Sequence, residues 1–79
     1  MAPRRALTEI ELRHLRLLQF VRTRARDYAR SYDEQIEDFV LELREGGVTI
    51  REIAETIGVG TSTVQMWTNH ARQRRRASP

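Results

Sequence analysis

The chain has no cysteine. That absence removes disulfides, thiolate metal sites and cysteine nucleophiles together. It has no lysine either: all 14 of its basic residues are arginine. Between Pro3 and Gly46 there is neither proline nor glycine, so nothing there breaks a helix through its backbone. No apolar run approaches the roughly eighteen residues needed to cross a bilayer. The basic start, Met-Ala-Pro-Arg-Arg, leads into a segment interrupted by charge every few residues, which is not a secretory core. No Gly-rich phosphate loop is present, and His14 and His70 have no partners at ligand or triad spacing. These absences lead us to expect no metal, no cofactor, no small-molecule substrate, no membrane partner and no catalysis. They place the chain in the cytoplasm.

What is present is 79 residues with a net charge of +3. That is room for one domain with a modest core. The charge is unevenly distributed. Residues 1–30 carry eight arginines against Glu9, Glu11 and Asp27, and residues 31–45 carry six acids against Arg44 alone. Residues 46–79 return to five arginines against Glu52 and Glu55. Two basic ends around an acidic middle suit a polyanion at the ends, with the middle facing away from it.

The pattern is helical throughout. Residues 1–6 read as a basic arm. Thr8 and Glu11 form a capping box that opens a long helix, expected over 7–30. Leu7, Ile10, Leu18, Val21, Ala25, Tyr28 and Tyr32 recur at helical spacing and mark its expected buried stripe, with Leu12, Leu15 and Phe20 outside it. A second helix is expected from Ser31–Asp33, buried through Ile36, Phe39, Val40 and Leu43 and ended by Gly46-Gly47. Its acids Asp33, Glu34, Glu37 and Asp38 read as a solvated face. A third, short helix starts at Thr49 with a second capping box through Glu52 and runs from Ile50 to Ile57. Gly58-Val59-Gly60 makes a tight turn, and a fourth helix covers Thr61 to about Arg72. The expected fold is all-α: a long N-terminal helix before a three-helix unit over 33–72, with a basic tail at 73–79.

The run Thr49 to Trp67, Thr-Ile-Arg-Glu-Ile-Ala-Glu-Thr-Ile-Gly-Val-Gly-Thr-Ser-Thr-Val-Gln-Met-Trp, resembles the helix-turn-helix of bacterial and phage repressors, recombinase DNA-binding domains and the promoter-reading end of sigma factors. Each signature position has a physical reason. Ala54 is small where two helices cross closely. Gly58 suits a positive φ at the end of the first helix. Val59 plugs the corner, and Val64 anchors the second helix, with Ile53, Ile57 and Trp67 completing a small core. Gly60 stands where the family usually has a side-chain cap.

The resemblance implies a sequence-specific regulator of transcription, such as a repressor, associated with the nucleoid and holding double-stranded DNA. The fourth helix would lie in the major groove. Carried onto this chain, the base-facing residues are Thr61, Gln65, Met66 and Asn69, with the amides of Gln65 and Asn69 suited to adenine. Phosphate contacts fall to Ser62, Arg51, His70, Arg72, Arg74, Arg75 and Arg76. Arg4 and Arg5 are placed to form a minor-groove arm. No acid occurs from Thr61 onward, as a phosphate-facing surface requires.

The N-terminal helix has three readings. It forms a homodimer contact through Leu12, Leu15, Leu18 and Val21, it packs back on its own chain, or its arginines make a second DNA surface. A functional rival is a helix-turn-helix used as a protein-interaction module, meeting a polymerase, a recombinase or another regulator through the acidic middle segment.

Overall fold

The computed structural model describes residues 3–24 and 29–77. Among these the chain is all-helical. Its four helices are α1 (Glu9–Arg24), α2 (Ala29–Glu45), α3 (Ile50–Ile57) and α4 (Thr61–Ala77).

The ends of the helices follow from their caps. At α1 the box is reciprocal: Glu11 N–H donates to Thr8 Oγ1 at 3.1 Å and Thr8 N–H donates to Glu11 Oε1 at 3.0 Å. At α3 half of the expected box forms. Glu52 N–H donates to Thr49 Oγ1 at 3.2 Å, but the Glu52 carboxylate accepts from Leu7 N–H at 3.3 Å. The acid meant for its own helix ties down the N-terminal segment.

Gly46-Gly47 ends α2 as expected. Gly47 takes φ 105°, and Val48 N–H donates back to Leu43 C=O at 2.9 Å. That closes the left-handed helix stop and turns Val48 into the core. A side chain at position 47 would also strike Pro3, whose carbonyl oxygen lies 1.9 Å from an ideal Cβ. The same device ends α3 at Gly58, with φ 71° and Val59 N–H donating to Ala54 C=O at 3.1 Å.

α1 and α2 run antiparallel. Arg22 reaches Asp33 at 3.2 Å, and His14 stacks against Phe39 with ring centroids 4.2 Å apart. The two helices are therefore separate layers and not one rod. α1 is described from Glu9 to Arg24 and α2 from Ala29. Ala29 and Arg30, expected in the first helix, therefore belong to the second, which begins before the expected Ser31–Asp33; residues 25–28 lie outside the described residues. Ala25 and Tyr28 of the expected stripe lie outside the described residues.

The core is a single cluster. Leu15 and Leu18 from α1 meet Ile36, Val40 and Leu43 from α2, Val48, Ile53 and Ala54 around α3, and Val64 and Trp67 from α4. Leu7, Phe39, Ile50, Ile57 and Val59 close its edges. The stripe on α1 was misphased. Leu15, expected outside it, is fully buried, whereas Ile10, expected inside, is 81% exposed. The true inward face is set by Leu15 and Leu18, and Ile10 shares the outer side with Leu17 and Phe20.

The N-terminal segment is pinned to the α2–α3 corner. Arg5 N–H donates to Gly47 C=O at 3.0 Å, and its Nε donates to Gly46 C=O at 3.0 Å. Its guanidinium grips both oxygens of Glu11 at 2.7 and 2.8 Å. That bidentate pair is the first cause holding the Glu11 carboxyl down to about 2, with the Thr8 amide second. A carboxyl lowered in the folded state stabilises the fold above its usual value of 4.5 and loses that contribution as pH falls through about 2. The melting temperature is therefore expected to drop across that acidic window. In Arg5→Ala the drop should shrink; an unchanged acid profile for Arg5→Ala in a thermal melt series would contradict the pairing.

Candidate nucleic-acid interface

The outward side of α4 is defined by what holds its inward side. Val64, Trp67, Thr68 and Ala71 are buried. The Thr68 hydroxyl donates to Val64 C=O at 2.9 Å and so needs no other partner. Trp67 is gripped from α1 as well, because the Arg22 guanidinium sits 5.0 Å over its ring. With that side fixed, helical phase turns Thr61, Ser62, Gln65, Met66 and Asn69 to solvent. Gln65 Nε2 donates to Asn69 Oδ1 at 3.1 Å, one exposed amide resting on the next. Met66 is 47% exposed, a large apolar side chain in an otherwise polar surface.

The start of α4 has no side-chain cap. Gly60 C=O accepts from Thr63 and Val64 N–H at 3.1 and 3.3 Å, which makes Gly60 the capping residue, and a glycine offers no oxygen of its own. The first amides of α4 are therefore left without a side-chain acceptor, where the helix dipole favours an anion.

The expected tail is helix. α4 continues to Ala77, so helical phase divides its arginines into two groups. Arg72 and Arg76 follow Thr61, Gln65 and Asn69 in steps of three and four and extend the same outward stripe. Both are exposed and have no carboxylate partner among the described residues. Arg74 and Arg75 fall on the side facing α2. Arg74 bonds to Glu37 and Asp38, the latter at 2.8 Å, and to Glu34 C=O at 3.2 Å. Arg75 bonds to Glu45 at 2.7 Å. Of the tail arginines expected to meet phosphate, these two are bonded to the protein's own acids in the free chain.

The partner of Arg74 corrects a reading. Glu37, taken from the sequence as part of a solvated face, is buried. It accepts from Arg74 and lies 3.1 Å from His70 Nδ1. A carboxylate removed from water needs such donors, and hydrogen bonding to Glu37 is the first cause raising the Arg74 guanidinium above its ordinary value. No periodicity signal distinguishes a buried acid with partners thirty-odd positions away from an exposed one. Arg74→Ala strips the main charged partner from Glu37, and we expect it to cost about 1–3 kcal/mol of stability, seen in chemical denaturation. A variant as stable as the parent would show that His70 and water suffice for Glu37.

The other predicted positions are distributed as follows. Arg51 is exposed on α3 and pairs with Glu55 at 3.1 Å, a contact open to water on both sides. His70 is half exposed at the edge of the outward stripe and faces Glu37. Arg4 is exposed; Arg5 is committed to Glu11 and the glycine turn, so the two do not form a free arm. Leu15 and Leu18 lie inside the monomer core, and Leu12 and Val21 are half-buried beside it. The expected dimer contact is corrected accordingly: the second sequence reading of α1, packing on its own chain, describes these residues. Among the described residues no group of acids and histidines is arranged to hold a metal, and no helix is long and apolar enough to cross a membrane. Comparison of the chain with protein-family models, curated proteins and solved structures finds no match.

Proposed function

We propose that this chain is a sequence-reading regulator that binds double-stranded DNA, seating the outward stripe of α4 in the major groove. One observation carries the reading: an anchored helix presents an acid-free row of amides and hydroxyls that runs directly into two arginines with no carboxylate partner among the described residues. A solvated helix face ordinarily alternates acids and bases, and an acid here would repel phosphate.

In this reading Gln65 and Asn69 contact base edges, where amide side chains suit adenine. Thr61 and Met66 meet thymine methyl groups. Ser62 and the uncapped amides of the α4 start hold a phosphate, and Arg72 and Arg76 hold others further along, with Arg51 and His70 at the margins. Arg74 and Arg75 act at one remove, by tying the distal half of α4 to α2. A dimer contact through Leu15 and Leu18 is no part of the proposal, and neither is an arm through Arg5. The rival use of α2 as an acidic docking face rested on Glu37, Asp38 and Glu42; Glu37 and Asp38 are bonded to α4, which leaves Glu42 exposed for it.

The test is selection of bound sequences from a random duplex pool, repeated with Gln65→Ala and Asn69→Ala. Each substitution is expected to relax the preference at one or two positions, at roughly 1–3 kcal/mol per lost base contact. Identical selected sequences from parent and variants would remove those residues from the readout.

A further inference from the structure

α1 has a second face that the core does not use. Its inward side is set by Leu15 and Leu18. On the opposite side Ile10, Leu17 and Phe20 are 81%, 58% and 54% exposed. They are not scattered. Ile10, Arg13, Leu17, Phe20 and Arg24 follow one another in steps of three, four, three and four, the spacing of a coiled-coil seam. Two of the five seam positions are arginine, and Arg16 flanks them. Arg24 lies over the Phe20 ring at 4.5 Å. Arg13 is held only by the exposed Glu9, at 2.7 Å, and Arg16 has no carboxylate partner among the described residues.

We propose that this outer face of α1 is a docking site for an acidic amphipathic helix of another protein. The proposal goes beyond the DNA-binding reading and stands on α1 alone. The apolar residues supply the helix-in-groove contact, and the arginines between them select carboxylates on the incoming helix.

Charge decides against a second copy of this chain. An antiparallel pair that set Ile10 of one copy against Phe20 of the other would bring Arg13 and Arg16 of both together near the two-fold axis. Among the described residues the only acid on that face is Glu9, already bonded to Arg13. Size points the same way. The exposed apolar area is on the order of 400 Å², about half of one side of a standard interface. The remainder must come from the charged flank, and only a partner of opposite sign gains from it. Phosphate does not explain the face either, because three large apolar side chains gain nothing from a polyanion.

The experiment uses the full chain and a labelled three-heptad peptide with Leu at the seam positions and Glu flanking them. A second peptide replaces Glu by Lys, and vesicles of anionic lipid and sedimentation of the protein alone complete the set. The acidic peptide should bind about tenfold or more tighter than the basic one, and weaken with salt. Leu17→Asp and Arg13→Glu should each reduce that binding about tenfold, with the thermal melt and duplex binding unchanged. Equal or absent binding of the two peptides would overturn the proposal. So would binding to anionic vesicles in place of the peptide, or a dimer of the free protein that Leu17→Asp dissociates. Loss of duplex binding in a Gln65 variant leaves these peptide results untouched, which separates failure of this proposal from failure of the DNA reading.

Discussion

Trp67→Ala is expected to remove most of the stability of the fold. The indole is almost completely buried among residues from α1, α2 and α3, and Arg22 loses its aromatic seat as well. Truncating a buried Trp costs about 3–5 kcal/mol. A domain of this size has roughly 4–12 kcal/mol in total. The melting temperature should therefore fall by on the order of 20 °C, and the transition should lose its cooperativity. Trp67→Phe keeps a ring in the same slot and should cost far less. Far-UV circular dichroism melts check both. A Trp67→Ala protein melting within a few degrees of the parent would mean that α4 is held by something other than this core, and the orientation of its outward stripe would lose its basis.

The second large effect is on binding, without any effect on the fold. Gln65→Glu changes one exposed side chain, nearly isosteric, at the centre of the outward stripe. In the proposed complex it replaces a base-pairing amide with a carboxylate beside two strands of phosphate. Loss of the contact and the added repulsion should together cost about 3 kcal/mol or more, a hundredfold or greater loss of affinity. Gln35→Glu is the control. It adds the same charge, but on α2 beside His14, Asp38 and Glu42, away from the α4 stripe, and should cost much less. Equal losses for the two variants would mean that the groove does not receive the Gln65 stripe.

The contrast between these variants reflects how much of the molecule was legible in its residues. The segment from Thr49 to Trp67 was, because each of its positions answers a local requirement. Thr49 caps, Gly58 takes a positive φ, Ala54 permits close crossing, and Val59 and Val64 fill the corner. Such signals survive in a single sequence because the physics that sets them acts within a few residues. The outward placement of Gln65 and Asn69 followed from the phase fixed by Val64 and Trp67.

What was not legible depends on contacts between distant segments. α1 offers apolar residues on more than one side, so its pattern is consistent with more than one inward face. Contact with Ile36 and Val40 chose Leu15 and Leu18, leaving Ile10, Leu17 and Phe20 outside. Arg5 looked like a free basic arm until Gly46-Gly47 and Glu11 provided it with acceptors. The arginines after Arg72 looked equivalent because the sequence alone does not say whether the helix continues. Once α4 runs to Ala77, phase separates Arg72 and Arg76 from Arg74 and Arg75, and the buried Glu37 explains why Arg74 turns inward.

The account stands or falls on whether the outward stripe of α4 receives duplex DNA. Fluorescence anisotropy of a labelled random-sequence duplex, titrated with the protein across a series of salt concentrations, tests it most directly. The account predicts binding at low salt whose logarithm falls linearly with the logarithm of salt, with a slope of roughly −3 to −5, lessened by about one unit in Arg72→Ala or Arg76→Ala and little changed in the fold-locking Arg75→Ala. A folded protein that leaves the duplex unbound at low salt, or binds it with no dependence on salt, would contradict it.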